Sequence, residues 1–254
     1  HAADQQTPGA HEVAVIVTQV LDHGGDDAQR LAAAESARVI IAEINRQMPR
    51  TLGNSFIHVD DVHLVVEKQE PLLTPPTVPE SEAADTISRL ISRLIEDGST
   101  LQISPGTAPQ ATLMTLADKN DLGVHTQLIT DGLMPLFEKG VITNKKKSYL
   151  PNRVVASLCM GSQTLYDYID DNPAFYFRSS EFVNDPTVIA RNDNLISISS
   201  ALEVDLTGQV CSDSMGHLFY SGIGDQVDFL RGSAMSKGGF SVIAMPSTAQ
   251  GGSV

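Results

Sequence analysis

Cysteine is scarce in this chain: two residues, Cys159 and Cys211, among 254. That is too few for a disulfide scaffold, and neither stands in a metal-binding spacing. Both lie in apolar segments, where reduced core thiols are expected. The seven histidines include no H-E-x-x-H pattern, so no metal site is expected. Basic residues are also few, 17 Lys and Arg against 31 Asp and Glu, for a net charge of −14. This argues against nucleic acid or an anionic membrane surface as partner. It leaves room for a small anion, which a local nest of backbone N–H groups can hold. No apolar run is long enough to span a bilayer. The polar start, His1 to Gln6, has no signal-peptide pattern, which points to the cytoplasm. Because the chain opens on His rather than Met, a longer gene product is expected. Internal repeats and low-complexity tracts are lacking as well.

What is present is a globular composition, 41% hydrophobic and 19% charged, with length for one large domain or two modest ones. Glu12 to Val20, rich in valine, predicts a strand. Asp22 to Asp27 predicts a loop, Ala28 to Ala37 a helix, Val39 to Ile44 and Val62 to Val66 two further strands, and Pro49 to Asn54 a loop. Such alternation implies a mostly parallel sheet covered by helices. Pro71 to Pro79 holds four prolines in nine residues, sustains neither helix nor central strand, and is placed as a linker. Beyond it, Ile87, Leu90, Ile91 and Leu94 form the apolar stripe of an amphipathic helix that ends at Asp97-Gly98.

Thr100 to Ile103 predicts a strand, Ser104 to Pro109 a tight loop, and Gln110 to Ala117 a helix. Strand, small-residue loop and helix together can aim N–H groups at an anion or a carbonyl oxygen. In Leu122 to Gly132 an apolar approach runs into His125-Thr126-Gln127, a polar strand end of the kind that faces ligands in open α/β sheets. Val154 to Met160, Leu195 to Val204, Gly208 to Ser212 and Ser241 to Ala244 predict strands. Tyr220 to Gln226 is a second glycine-containing loop. Ser162 sits in G-x-S-x-T, which lacks the closing glycine of a nucleophile elbow, and reads as a helix N-cap. Lys145, Lys146 and Lys147 read as a solvated loop. His125 reads as a hydrogen-bonded structural histidine, with a catalytic base as the alternative.

Several segments carry a resemblance: Ile41 to Gly53, Glu96 to Gln102, Gly140 to Asn144, Val183 to Pro186, Glu203 to Val210, Tyr220-Ser221-Gly222 through Arg231-Gly232, and Pro246 to Ala249. In these, and in the His125-Thr126-Gln127 stretch, the chain resembles the acetyl-CoA hydrolase/transferase family, near the 4-hydroxybutyrate and butyrate:acetate CoA-transferases. The resemblance implies a two-domain α/β CoA-transferase fold, mostly parallel sheets flanked by helices, with both ends incomplete relative to the family. Residues 1–70 would be the C-terminal part of the first domain, 71–79 the linker, and 80–254 the second domain.

The resemblance also implies chemistry. In the family a glutamate attacks an acyl-CoA, and a mixed anhydride and then a glutamyl-CoA thioester follow, before a second carboxylate takes the CoA. Acyl-CoA and short-chain carboxylates would be the ligands, with no tightly bound cofactor, in a homo- or hetero-oligomer of transferase-type subunits. The glutamate position is Gln127. The oxyanion and thioester loops correspond to Gly106 and Thr107, and to Gly222, Gly224, Asp225 and Gln226. His125 and Ser199 are candidates for substrate or CoA contact. The departures fall on the reacting centre: Gln127 for glutamate, Ser104-Pro105-Gly106 where Gly-Ile-Gly is usual, Asp225 for a glycine, and Ser199 for an asparagine. Pro105 removes a backbone donor. The expectation is an acyl-CoA-binding cleft impaired in glutamyl-thioester turnover. The alternatives are a working CoA-transferase or acyl-CoA hydrolase, and a structural subunit of an intact paralogue.

Overall fold

The computed structural model describes residues 16–17, 34, 37–75, 81–222 and 224–248. Most of the expected strand Glu12 to Val20, the loop Asp22 to Asp27, most of the helix Ala28 to Ala37, linker residues Pro76 to Pro79, and Ile223 lie outside the described residues. The first sheet comprises β1 (Ile16–Val17), β2 (Ile41–Ile44) and β3 (Leu64–Glu67). β2 and β3 are parallel, whereas β1 runs antiparallel to β2, so this sheet is mixed rather than uniformly parallel. The stretch 71–75 has neither helix nor strand. Leu72 packs against the main core, and Tyr166 Oη donates to the Leu73 carbonyl at 2.9 Å.

The next elements are α1 (Glu82–Ser92), β4 (Thr100–Ile103), α2 (Thr107–Leu113), β5 (Gly123–Val124), β6 (Leu128–Ile129) and α3 (Met134–Glu138). There follow β7 (Val154–Ala156), β8 (Leu158–Cys159), α4 (Gln163–Ile169), β9 (Phe175–Phe177), α5 (Ser180–Val183), α6 (Pro186–Ile189) and β10 (Leu195–Ser199). Two short hairpins come next, β11 (Glu203–Val204) with β12 (Val210–Cys211), and β13 (Ser214–Met215) with β14 (Leu218–Phe219). Helix α7 (Gln226–Met235) and β15 (Phe240–Ile243) complete the described elements. Two predicted long strands are thus each interrupted, at Ser157 and after Ser199.

The central sheet has strand order β15-β10-β4-β5, parallel throughout. A parallel bridge from His125 to Val155 leads on to the β7–β9 pair, and a bridge from Phe177 reaches Gly53. Every residue of β4, β7 and β10 is buried, as a parallel sheet covered on both faces requires. Alternation along the strands then divides the core in two. Leu101, Ile103, Val124, Ile196 and Ile198 meet the apolar cluster that includes Ala84 and Ile91 of α1 and Leu113 of α2. The opposite face carries Thr100, Gln102, Ser197 and Ser199, and beside it Leu195 and Val155 pack with Val183, Ile189 and Phe229. Each such buried aliphatic or aromatic side chain contributes about 1.5–3 kcal/mol.

Two helices differ from expectation. The buried side of α1 is Ala84, Ser88 and Ile91, while Leu90 and Leu94 are more than half exposed. Small residues one turn apart let α1 approach α2 closely, and the leucines fall on the flank. Helix α2 begins at Thr107, earlier than predicted, because Pro109 fits its first turn, where no N–H is required.

Candidate active site

The carboxyl ends of β4, β5 and β10 converge on one edge of the sheet. β4 delivers Ser104, Pro105 and Gly106, β5 leads through His125 and Thr126 to Gln127, and β10 delivers Ser199 and Ser200. A buried polar ladder fixes these ends relative to one another. Ser197 Oγ donates to Gln102 Oε1 at 2.6 Å, Gln102 Nε2 donates to Ser104 Oγ at 2.9 Å, and Ser104 Oγ lies 3.0 Å from Ser199 Oγ. Satisfied polar groups of this kind hold a unique register, whereas an orphaned one would destabilise the sheet by about 1–3 kcal/mol.

Ser200 ties the two loops together. Its Oγ donates to the Pro105 carbonyl at 3.3 Å, and its own carbonyl accepts from Gln226 Nε2 at 2.8 Å. Gly106 has φ +136°, and a Cβ there would come within 2.8 Å of Ser200 Oγ, so this turn needs glycine. Thr107 is exposed at the first position of α2, and Gly222 and Gly224 are exposed ahead of α7.

Gln127 faces Asp225. In the amide orientation that matches donor to acceptor, Gln127 Nε2 donates to both carboxylate oxygens, at 3.2 and 3.0 Å. The Gln127 carbonyl accepts from Ser157 N at 3.0 Å and Leu158 N at 2.8 Å, which anchors its backbone. Asp225 is the N-cap residue of α7, yet its side chain makes no capping bond. Burial, reinforced by Asp228, pushes its carboxyl up to about 6.

His125 and Ser199 are enclosed. His125 is fully buried, with Nε2 2.9 Å from the Val183 carbonyl and Nδ1 3.5 Å from Asn192 Nδ2. Burial, and then the nearby Lys147, drive its pKa down to about 3, so the ring is neutral, donating from Nε2 and accepting at Nδ1. Ser199 is 1% exposed and engaged with Ser104. Neither side chain reaches the surface of the described structure.

One expectation is corrected. Lys147 is not solvated: it is 4% exposed and donates to the carbonyls of Val124 and Arg153. A run of three lysines cannot indicate which one turns inward; the missed signal is Gly123, the residue without a side chain that leaves it room. Both cysteines are free thiols and half-buried: Cys159 packs against the main core, whereas Cys211 sits in a hairpin with Sγ 3.1 Å from the Ser214 carbonyl. Ser162 does occupy the N-cap of α4, but its Oγ donates to Asp131 at 2.7 Å instead of capping. Among the described residues no group of three His, Cys, Asp or Glu side chains could hold a metal ion, and no helix is long and apolar enough to cross a membrane.

These features define a class: a mixed α/β protein, mostly parallel, with a polar site at the carboxyl ends of adjacent strands, where such sheets bind ligands. Residues 161–254 match the acetyl-CoA hydrolase/transferase C-terminal domain, and the chain belongs to the acetyl-CoA hydrolase/transferase family. It is 50% identical to the 4-hydroxybutyrate coenzyme A transferase of Clostridium kluyveri over 224 residues, 87% of this chain and 52% of that protein. It is 41% identical to the succinyl-CoA:cyclohexane-1-carboxylate CoA transferase of Geobacter metallireducens, covering 89% and 52%. The crystal structure of RipA from Yersinia pestis superposes with TM-score 0.85 at 43% identity, covering 91% of this chain and 52% of that one. The 4-hydroxybutyrate CoA-transferase structure from Porphyromonas gingivalis gives 0.79 at 42% identity, covering 88% and 54%. The chain thus spans about half the length of the relatives it matches.

Proposed function

We propose that this chain binds acyl-CoA in the manner of a CoA-transferase but forms no glutamyl-CoA thioester. The observation that carries the reading is the Gln127–Asp225 pair at the strand ends. An amide there offers a neutral donor where covalent transfer needs a carboxylate nucleophile. The ligands would be acyl-CoA and short-chain carboxylates, with no tightly bound cofactor. Gly106, Thr107, Gly222, Gly224 and Gln226 would line the approach, with Pro105 contributing no N–H. Cytoplasmic placement and assembly with transferase-type subunits belong to the same reading. Leu64, Val65 and Val66 of β3, each about half exposed, support assembly by offering an apolar surface to a further subunit.

Calorimetric titration with CoA and acetyl-CoA tests binding, and intact-mass spectrometry after acetyl-CoA incubation tests the chemistry. Saturable binding with no CoA-sized adduct is expected. An adduct on Gln127-bearing protein, in samples shown free of deamidation, would refute the reading.

A further inference from the structure

The environment of Asp225 is unlike that of a capping or ion-paired aspartate. An aspartate at a helix N-cap ordinarily accepts from the N–H groups of the first turn. Asp225 forgoes that bond and faces the Gln127 amide. Among the described residues no lysine, arginine or histidine forms an ion pair with it. Gln127 therefore orients the carboxylate without neutralising it. A carboxylate has about four lone-pair directions, and the Gln127 amide and Asp225's own backbone N–H leave acceptor capacity for a water. Gly222 and Gly224, both exposed, stand just before it in the chain.

We infer that Asp225 is the general base of a water-dependent hydrolysis of acyl-CoA thioesters at this site, and that Gln127 positions its carboxylate. The inference rests on the acyl-CoA reading above. In the step, an Asp225 carboxylate oxygen takes a proton from a water as the water oxygen bonds to the thioester carbonyl carbon. The tetrahedral adduct re-forms its carbonyl as the carbon–sulfur bond breaks. The departing CoA thiolate takes the proton back from Asp225. The balance is thioester plus water giving carboxylic acid plus thiol, with no oxidant and no acyl-enzyme. A carboxyl raised to about 6 is matched to base catalysis near neutral pH. Asp228 on the same helix is the charged neighbour that raises it, and across the site it meets the neutral Gln127.

The test follows thiol release from acetyl-CoA by the 254-residue chain, with single turnover in ¹⁸O-water. Expected are free CoA, label in the acetate, and a rate that falls as pH drops below about 6. Asp225→Asn should lower the rate about 100-fold or more while CoA affinity by calorimetry stays within about threefold, a change of under 1 kcal/mol. Asp225→Glu should retain part of the rate. Label appearing in Asp225 would overturn the base role in favour of direct attack. Undiminished hydrolysis by Asp225→Asn, or CoA binding with no thiol release, would overturn the inference while leaving the acyl-CoA reading intact. No binding of CoA at all would instead overturn the reading on which both rest.

Discussion

Lys147 Nζ lies 2.9 Å from the carbonyl oxygen of Val124, and its stem occupies the space beside Gly123, where a Cβ would come within 2.4 Å of Lys147 Cγ. A second bond, to the Arg153 carbonyl at 2.8 Å, completes the clasp between the 144–147 loop, β5 and the entry to β7. The site's strand, β5, is thus held from below by a buried amine. Burial pushes that amine down to about 7. A lysine whose folded pKa is lowered binds its proton more weakly when folded, so its penalty is full below about 7, relieved as pH rises, and absent above the ordinary value near 10.5. The stability of the wild type should therefore gain about 1–3 kcal/mol between pH 7 and 9 relative to Lys147→Met. Urea unfolding of both proteins at the two pH values measures this. A difference that stays constant across the window would refute it.

His125 should behave as a neutral structural ring. Its pKa of about 3 lies below the ordinary 6.5, so its contribution to stability is full above 6.5 and lost as pH falls toward 3. In NMR spectra its ring carbon-bound protons should show no titration between pH 8 and 5. A midpoint near 6 for His125 would contradict the buried, backbone-bonded geometry.

Helix α7 is held against α6 by a close approach at Gly232, where an added Cβ would come within 2.5 Å of Ile189 Cβ and Cγ2. Gly232→Ala should destabilise the chain by about 1–3 kcal/mol through overpacking. Because α7 carries Asp225 at its start, the same change should weaken acetyl-CoA hydrolysis more than it weakens secondary structure measured by circular dichroism. Unchanged stability would mean that α7 shifts freely, which its buried Phe229 argues against.

Much of this was legible in the chain. The β-branched and leucine runs locate β2, β4 and β10, and the polar triplet after Val124 places Gln127 at a strand end. Proline at 105 and glycine at 106 mark the first loop. The pairing of Gln127 with Asp225 was not legible, because 98 positions of chain separate them and only the tertiary fold, which packs α7 on β10 and β15, brings its start to Gln127. The same holds for Lys147, whose burial depends on the missing side chain of Gly123, a neighbour in space rather than in sequence. The exposed Leu90 and Leu94 show a further limit: periodicity identifies a helix, but small residues such as Ala84 and Ser88 can decide which side packs. Local pattern thus specifies elements, while the electrostatics of the site emerge only from packing.

Replacing Gln127 by glutamate supplies the carboxylate that covalent transfer needs, yet it should restore little of that chemistry alone. The new carboxylate would stand about 3 Å from Asp225, where the amide nitrogen now sits. Two carboxylates so close cannot both ionise readily, and the pair titrates as a unit with one apparent pKa strongly raised. Near neutral pH one proton is then shared across the pair, and the nucleophile is depleted. Pro105 still lacks a backbone donor. The raised value also has a signature in stability. A carboxyl held above its unfolded value near 4 contributes fully below that value and loses its contribution as pH rises through the folded one. Relative to wild type, Gln127→Glu should therefore lose about 1–3 kcal/mol between pH 5 and 8, and adding Asp225→Gly should recover most of it. Intact-mass spectrometry after acetyl-CoA incubation at pH 7 should show little CoA adduct on Gln127→Glu and more on the double variant. Equal adduct on the single and double variants, together with a stability difference independent of pH, would show that Asp225 exerts no hold on position 127.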